Sequence, residues 1–302
     1  MALAYTYSFL LFLLFLSPNT SQATSRAPNR MLAMVQQQPL VLKYHKGPLL
    51  KGNITLHLIW YGAFTPTQRS IILDFIQSLS AMSYHSPSVF SWWQTTQSYR
   101  GGPSTLVVGN QILDHTYSLG KSLKTRHLLA LASNPKLTSP PRGRAVHVIL
   151  TSADVVVEDF CMNQCGTHGS GRVNKRSGKK IAYAWVGNPV TQCPGQCAWP
   201  FHQPVYGPQT APLVSPNADV GIDGIVINLA TVLAGVVTNP APLEAVSACT
   251  GVFGKGAYPG YAGNVLVEKT TGASYNAVGV RGRKFLLPAM WDPRTSACKT
   301  LV

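Results

Sequence analysis

A chain of 302 residues with 45% apolar content can bury a substantial core, as one large domain or two small ones, which excludes a polypeptide too polar to fold. Charged residues make up only 12%, about half the ~25% usual in globular domains, and Ser, Thr, Asn, Gln and Gly supply the polarity instead. Lys and Arg outnumber Asp and Glu by 25 to 10, a formal charge of +15 that favours polyanionic neighbours.

The first element is a Leu- and Phe-rich run from Ser8 to Ser17, too short to span a bilayer. Ser21-Gln22-Ala23 follows it, and residues 1–23 read as a signal peptide cleaved near Ala23, although the usual positive charge before the apolar run is missing. Nucleic acid is the common partner of a basic chain. Secretion turns that reading toward acidic polysaccharide and membrane surfaces. Asn53-Ile54-Thr55 supplies an N-glycosylation acceptor at Asn53. Residues 24–39 form an aperiodic, extended lead-in, and the ordered body runs over residues 40–302.

Asn53–Tyr61 alternates as a strand, with Ile54, Leu56, Leu58 and Trp60 on one face. Thr65-Pro66 caps a helix that carries Ile71, Ile72, Phe75, Ile76 and Leu79 at helical spacing. Trp92 and Trp93 read as packing rather than as a sugar platform. Gly109-Asn110, between Thr105–Val108 and Gln111–Leu113, predicts a two-residue hairpin. Lys121–Ala132 predicts a helix. Ala145–Leu150, apolar except for His147, predicts a central strand.

Two Cys-x-x-x-Cys blocks follow, Cys161/Cys165 and Cys193/Cys197, around a strand-like Ile181–Val186. Their spacing permits zinc. Secretion and an even count with Cys249 and Cys298 favour disulfides for all six, with the connectivity left open. Between the blocks, Gly169-Ser170-Gly171 reads as flexible. Arg172, Lys175, Arg176, Lys179 and Lys180 then make a basic loop, a solvated surface or a polyanion contact. After a Pro-rich stretch, Ile225–Val237 predicts a buried core helix and no integral membrane span. The rest is rich in Gly and Tyr.

Three chemistries can be weighed. The buried helix is somewhat similar to the zinc-bearing helix of zincin-type peptidases. Its window Thr231-Val232-Leu233-Ala234-Gly235 lacks the two ligands one turn apart and the glutamate that this chemistry needs. A glycosidase needs two carboxylates across one bond, for which Asp219, Asp223, Glu158 and Asp159 are the candidates. Asp223 also fits a helix cap or dipole partner. No Gly-x-Ser-x-Gly elbow is present. His168 and His202 remain as metal or proton-transfer candidates, each with a structural reading beside it.

Phe160–Gly169, Ala184–Asn188, Gln192–Phe201, Tyr206–Gln209, Gly254–Tyr261 and Arg283–Ala289 together resemble the plant EXORDIUM and phosphate-induced protein 1 family, over nearly all of residues 40–302. The resemblance implies a secreted, apoplastic or cell-wall protein tied to growth control and brassinosteroid-responsive cell expansion. It implies no reaction. The chain departs from the family pattern where Asn239-Pro240 runs straight into Ala241-Pro242-Leu243-Glu244 without a Gly- and aromatic-rich insert.

These readings converge on one α/β domain, with α+β as the neighbouring class: a mixed sheet, flanking helices and a disulfide-stapled loop region. The expected role is non-catalytic, without a cofactor, and binds an acidic wall polysaccharide or a cell-surface protein. The alternatives are a wall-glycan hydrolase using an Asp/Glu pair and a degenerate metallopeptidase-like scaffold.

Overall fold

Apolar side chains alternate through Gly52–Tyr61, which forms the first long strand, β1. Ile54, Leu56, Leu58 and Trp60 are wholly buried on one face, and Ile59 and Tyr61 on the other. Burial on both faces is what the interior of a parallel sheet requires. The computed structural model describes residues 40–44, 46, 49–83, 86–137, 144–162, 164–172, 180–238, 240–241 and 243–302. The expected signal peptide and lead-in, and Lys175, Arg176 and Lys179 of the basic loop, lie outside them. Residues 40–302 form one compact unit.

Helix α1 (Pro66–Ser78) starts with a reciprocal cap: the Gln68 N–H donates to the Thr65 hydroxyl, and the Thr65 N–H donates to the Gln68 side chain. In α2 (Val89–Trp93), both tryptophans are buried. Their indole N–H groups donate to the carbonyls of Pro288 and Ser104, so they pack as the sequence suggests.

The expected hairpin at Gly109-Asn110 does not form. Both residues lie inside one strand, β2 (Ser104–Asp114), parallel to β1 with a register irregularity between Leu56 and Leu58. A Cβ at Gly109 would sit 2.5 Å from Thr55 Cγ2 and 2.7 Å from His57 Nδ1. The glycine therefore serves close approach across the ladder, and the Asn110 N–H donates to His57 Nδ1. Helix α3 (Thr125–Ala132) starts at Thr125 rather than Lys121, because Ser122–Leu123 pairs with Val156–Val157 instead.

Strands β3 (Arg144–Thr151), β4 (Gly166–Arg172) and β5 (Lys180–Gly187) complete a five-stranded sheet of order β2-β1-β3-β5-β4. β3 is central, and all strands are parallel except β4, which lies antiparallel to β5 at the edge. Gly169-Ser170-Gly171, expected as a flexible loop, is part of β4. Added Cβ atoms would lie 3.0 Å from the Tyr183 hydroxyl at Gly169 and 2.5 Å from Leu129 Cδ2 at Gly171, so these glycines admit neighbours rather than motion.

Helices α1, α2 and α5 (Val220–Thr238) cover one face of the sheet. Helix α3 and the cysteine blocks cover the other. α5 is long and apolar enough to cross a membrane by length and composition, yet its Ile222, Ile225, Leu229 and Leu233 are sealed in the main core. The bridges are Cys161–Cys193, Cys165–Cys197 and Cys249–Cys298. The first two span the same separation of 32 residues, so the blocks are zipped side by side in register. Cys193 and Cys197 stand four apart at α4 (Pro194–Cys197), which puts both sulfurs on one helix face.

Candidate functional site: a cleft beside the sheet edge

The start of β4, the side of α5 that carries Ile227, Asn228, Thr231 and Val232, and the disulfide-tied α4 line a cleft of about 480 Å³. Gln164 to His168 form one wall, and Ile227, Thr231 and Val232 rise from the helix opposite. In the cleft His168 Nε2 lies 2.6 Å from Glu244 Oε1. The pair sits against α5 at Gly235, where a Cβ would lie 2.5 Å from Glu244 Oε2. The Glu244 backbone is itself fixed, its N–H donating to the Ser247 hydroxyl at 3.0 Å.

The polar side chains of α5 on this side are held by backbone. The Thr231 hydroxyl donates to the Ile227 carbonyl, and the Asn228 amide donates to the carbonyls of Cys197 and Gly224. Among the described residues no group of three or more His, Cys, Asp or Glu is arranged to hold a metal ion. His168 and His202 fall in different clefts. His202 is exposed, with Nδ1 2.9 Å from the Gln203 carbonyl, and borders a smaller cleft of about 130 Å³.

The other sequence candidates lie outside the main cleft, whose only carboxylate among the described residues is Glu244. Asp219 caps α5, accepting from the Ile222 N–H and from the Gln68 amide. Asp223 is 2% exposed and accepts from the backbone and side-chain N–H groups of Asn217 at 2.9 and 2.7 Å. Burial pushes its carboxyl up to about 7, and the Asp219 charge adds to this. Glu158 accepts from the Thr125 N–H and hydroxyl, and the backbone bond foremost holds its carboxyl below the usual range. Asp159 is exposed with φ of 65°.

Trp199 links the main cleft to a second of about 550 Å³, flanked by Tyr206 and Tyr258 with Pro204, Pro208 and Pro259. Tyr206 is 89% and Tyr258 63% exposed. Glu244, Trp199 and this tyrosine pair were not signalled as a site by spacing. The recurrence of aromatic residues and proline after Cys197 and around Tyr258 is the sequence trace of the second cleft.

Two cations of the basic run are described. Arg172 and Lys180 are opposite one another at the end of the β4–β5 hairpin, and both are exposed. Leu129 of α3 packs over Gly171, and the exposed Arg126 lies one turn before Leu129. Among the described residues no ion pair engages these three cations. Asn53, the glycosylation acceptor, is exposed at the start of β1.

Residues 42–301 match the phosphate-induced protein 1 conserved region. The chain is 58% identical to Protein EXORDIUM-like 2 of Arabidopsis thaliana over 318 aligned residues that cover all of both chains. It is 64% identical to Protein EXORDIUM-like 4 of the same plant, covering 84% of this chain and 89% of that one. It is 54% identical to Protein PHOSPHATE-INDUCED 1 of Nicotiana tabacum, covering 91% and 93% respectively.

Proposed function

The chain belongs to the EXORDIUM and phosphate-induced protein 1 family, and on that footing we propose that it is a secreted, wall-associated protein that binds acidic polysaccharide. A place in brassinosteroid-responsive growth and cell expansion is carried over from the family resemblance. Three disulfides with no free cysteine among the described residues support an oxidising, extracellular compartment.

The observation that carries the binding reading is the exposed Arg172–Lys180 rung, on a chain of charge +15. In the sequence, Lys175, Arg176 and Lys179 lie between Arg172 and Lys180. Clustered cations without carboxylate partners keep their charge available to a polyanion, and the attraction is screened by salt.

The test is retention on immobilised polygalacturonate. The expected result is binding at low salt that is released as salt rises, and that weakens several-fold in an Arg172→Ala, Lys180→Ala double variant. Absence of retention, or retention indifferent to salt, overturns the reading. Secretion is tested separately, by the distribution of a C-terminal fluorescent fusion between cell and medium or wall.

A further inference from the structure

We infer that the outer edge of β4 and the adjoining cleft form a binding site for an extended polypeptide segment, added to the sheet as a sixth strand. The hydrogen-bond parity of β4 is the first reason. Gly187 donates its N–H to the Cys165 carbonyl, and the register places these residues opposite each other, since Gly166 faces Val186. In an antiparallel ladder the bonded pairs alternate. Thr167, Gly169 and Gly171 therefore bond inward to β5, while Gly166, His168 and Ser170 turn their N–H and C=O groups outward. Among the described residues nothing in the sheet lies beyond β4, and no backbone bond takes these outward groups.

The cleft is the second reason. It is lined by Gln164 to His168, by Ile227, Thr231 and Val232 of α5, which packs on the strand at Gly166, and by Trp199. The outward groups recur every second residue, about 6.8 Å apart, which is the repeat of a polypeptide backbone. A strand laid on them sends alternate side chains toward α5, into the cleft, where the space and the indole suit apolar or aromatic residues. Toward Arg172 the surface is cationic, so the segment carries acidic residues at that end. The occupant is thus an extended peptide, apolar at one end and acidic at the other. The site does not depend on the polysaccharide reading. Column retention and peptide binding fail separately.

The probe is a fluorescent octapeptide of alternating Val and Thr with a terminal Trp and an opposite Asp-Asp end, made in both chain directions. The expected result is saturable binding by one direction. N-methylation of alternate backbone nitrogens separates the bonding modes: methylation of the set facing β4 weakens binding at least tenfold, and methylation of the other set leaves it within about twofold. On binding, the amides of Gly166, His168 and Ser170 gain hydrogen-exchange protection, while those of Thr167, Gly169 and Gly171 are protected throughout. Ser170→Pro removes only an outward N–H, a change an edge strand tolerates. It weakens binding at least tenfold with the melting transition retained. If that variant does not fold, the N-methyl pair still decides. No binding in either direction, equal loss from both methylation sets, or protection at all six amides alike overturns the site.

Discussion

His168 and Glu244, 76 residues apart in the chain, meet at 2.6 Å directly over Gly235 of α5. A Cβ at Gly235 would stand 2.5 Å from Glu244 Oε2 and 2.8 Å from His168 Nε2. Alanine gains roughly 1 kcal/mol over glycine in a helix interior, and overpacking costs about 1–3 kcal/mol. Gly235→Ala should therefore destabilise the protein by up to about 2 kcal/mol while the pair is intact. In a Glu244→Ala background it should become neutral or stabilising by up to about 1 kcal/mol. Urea denaturation of the four proteins measures the coupling. An equal cost in both backgrounds would show that the glycine is not there for the pair.

The contrast between this pair and the first strand shows what the sequence can carry. Ile54, Leu56, Leu58 and Trp60 announce their shared face because a strand's period is written in neighbouring residues, and the Thr65-Pro66 cap is equally local. Helix α5 is legible as a buried apolar run, though its true start at Val220 is set by Asp219 rather than by hydrophobicity. Gly109-Asn110 misleads because the same dipeptide serves a hairpin turn and a close approach to His57, and only the position of β1 distinguishes them. Glu244 carries no local signal at all. Ser247 and the end of α5 are close to it in sequence, but its partner His168 lies 76 residues away, so the site exists only once the sheet edge and α5 are in place.

The paired bridges predict a measurable non-additivity. Cys161–Cys193 and Cys165–Cys197 close loops of equal separation, 32 residues, side by side. With one bridge intact, the other closes only the short ring through the two blocks. On the chain-entropy account, removing either by serine substitution should cost about 2.5 kcal/mol, and removing the second about 3.5–4 kcal/mol more. Chemical denaturation of the two single and the double bridge variants checks this. A second removal that costs no more than the first would mean that the blocks do not act as one cross-linked ring.

His57 gives the acid side of the stability profile. It is 2% exposed, its Nδ1 accepts the Asn110 N–H, and its Nε2 has no hydrogen-bond partner among the described residues. The ring lies edge-on to His147, with centroids 5.2 Å apart. Burial lowers its pKa below the ordinary 6.5. The unfolded chain therefore takes up this proton before the folded one, and stability falls as pH drops below 6.5, by up to ~1.4 kcal/mol per unit. His57→Gln keeps an acceptor for Asn110 and removes the titration. Its stability should change less between pH 7 and pH 5 than that of the parent, and a parallel loss in both proteins would assign the acid sensitivity elsewhere.

Asp223 acts with the opposite sign. Its carboxyl is buried at the first turn of α5, and despite two donors from Asn217 burial dominates and raises it from 3.8 to about 7. Between those values the folded protein holds a proton that the unfolded chain releases. Stability contributed by the neutral carboxyl is present at pH 4 and is lost as pH rises toward 7, on the order of 4 kcal/mol across the window. Asp223→Asn cannot ionise, so the variant should lose this slope and gain relative to the parent at pH 8, whatever its stability at pH 4. Melting the two proteins from pH 4 to pH 8 reads the difference directly. A parent whose stability rises from pH 5 to pH 7 as steeply as that of Asp223→Asn would mean that the carboxyl ionises in the folded state at ordinary pH, its charge carried by the Asn217 donors after all.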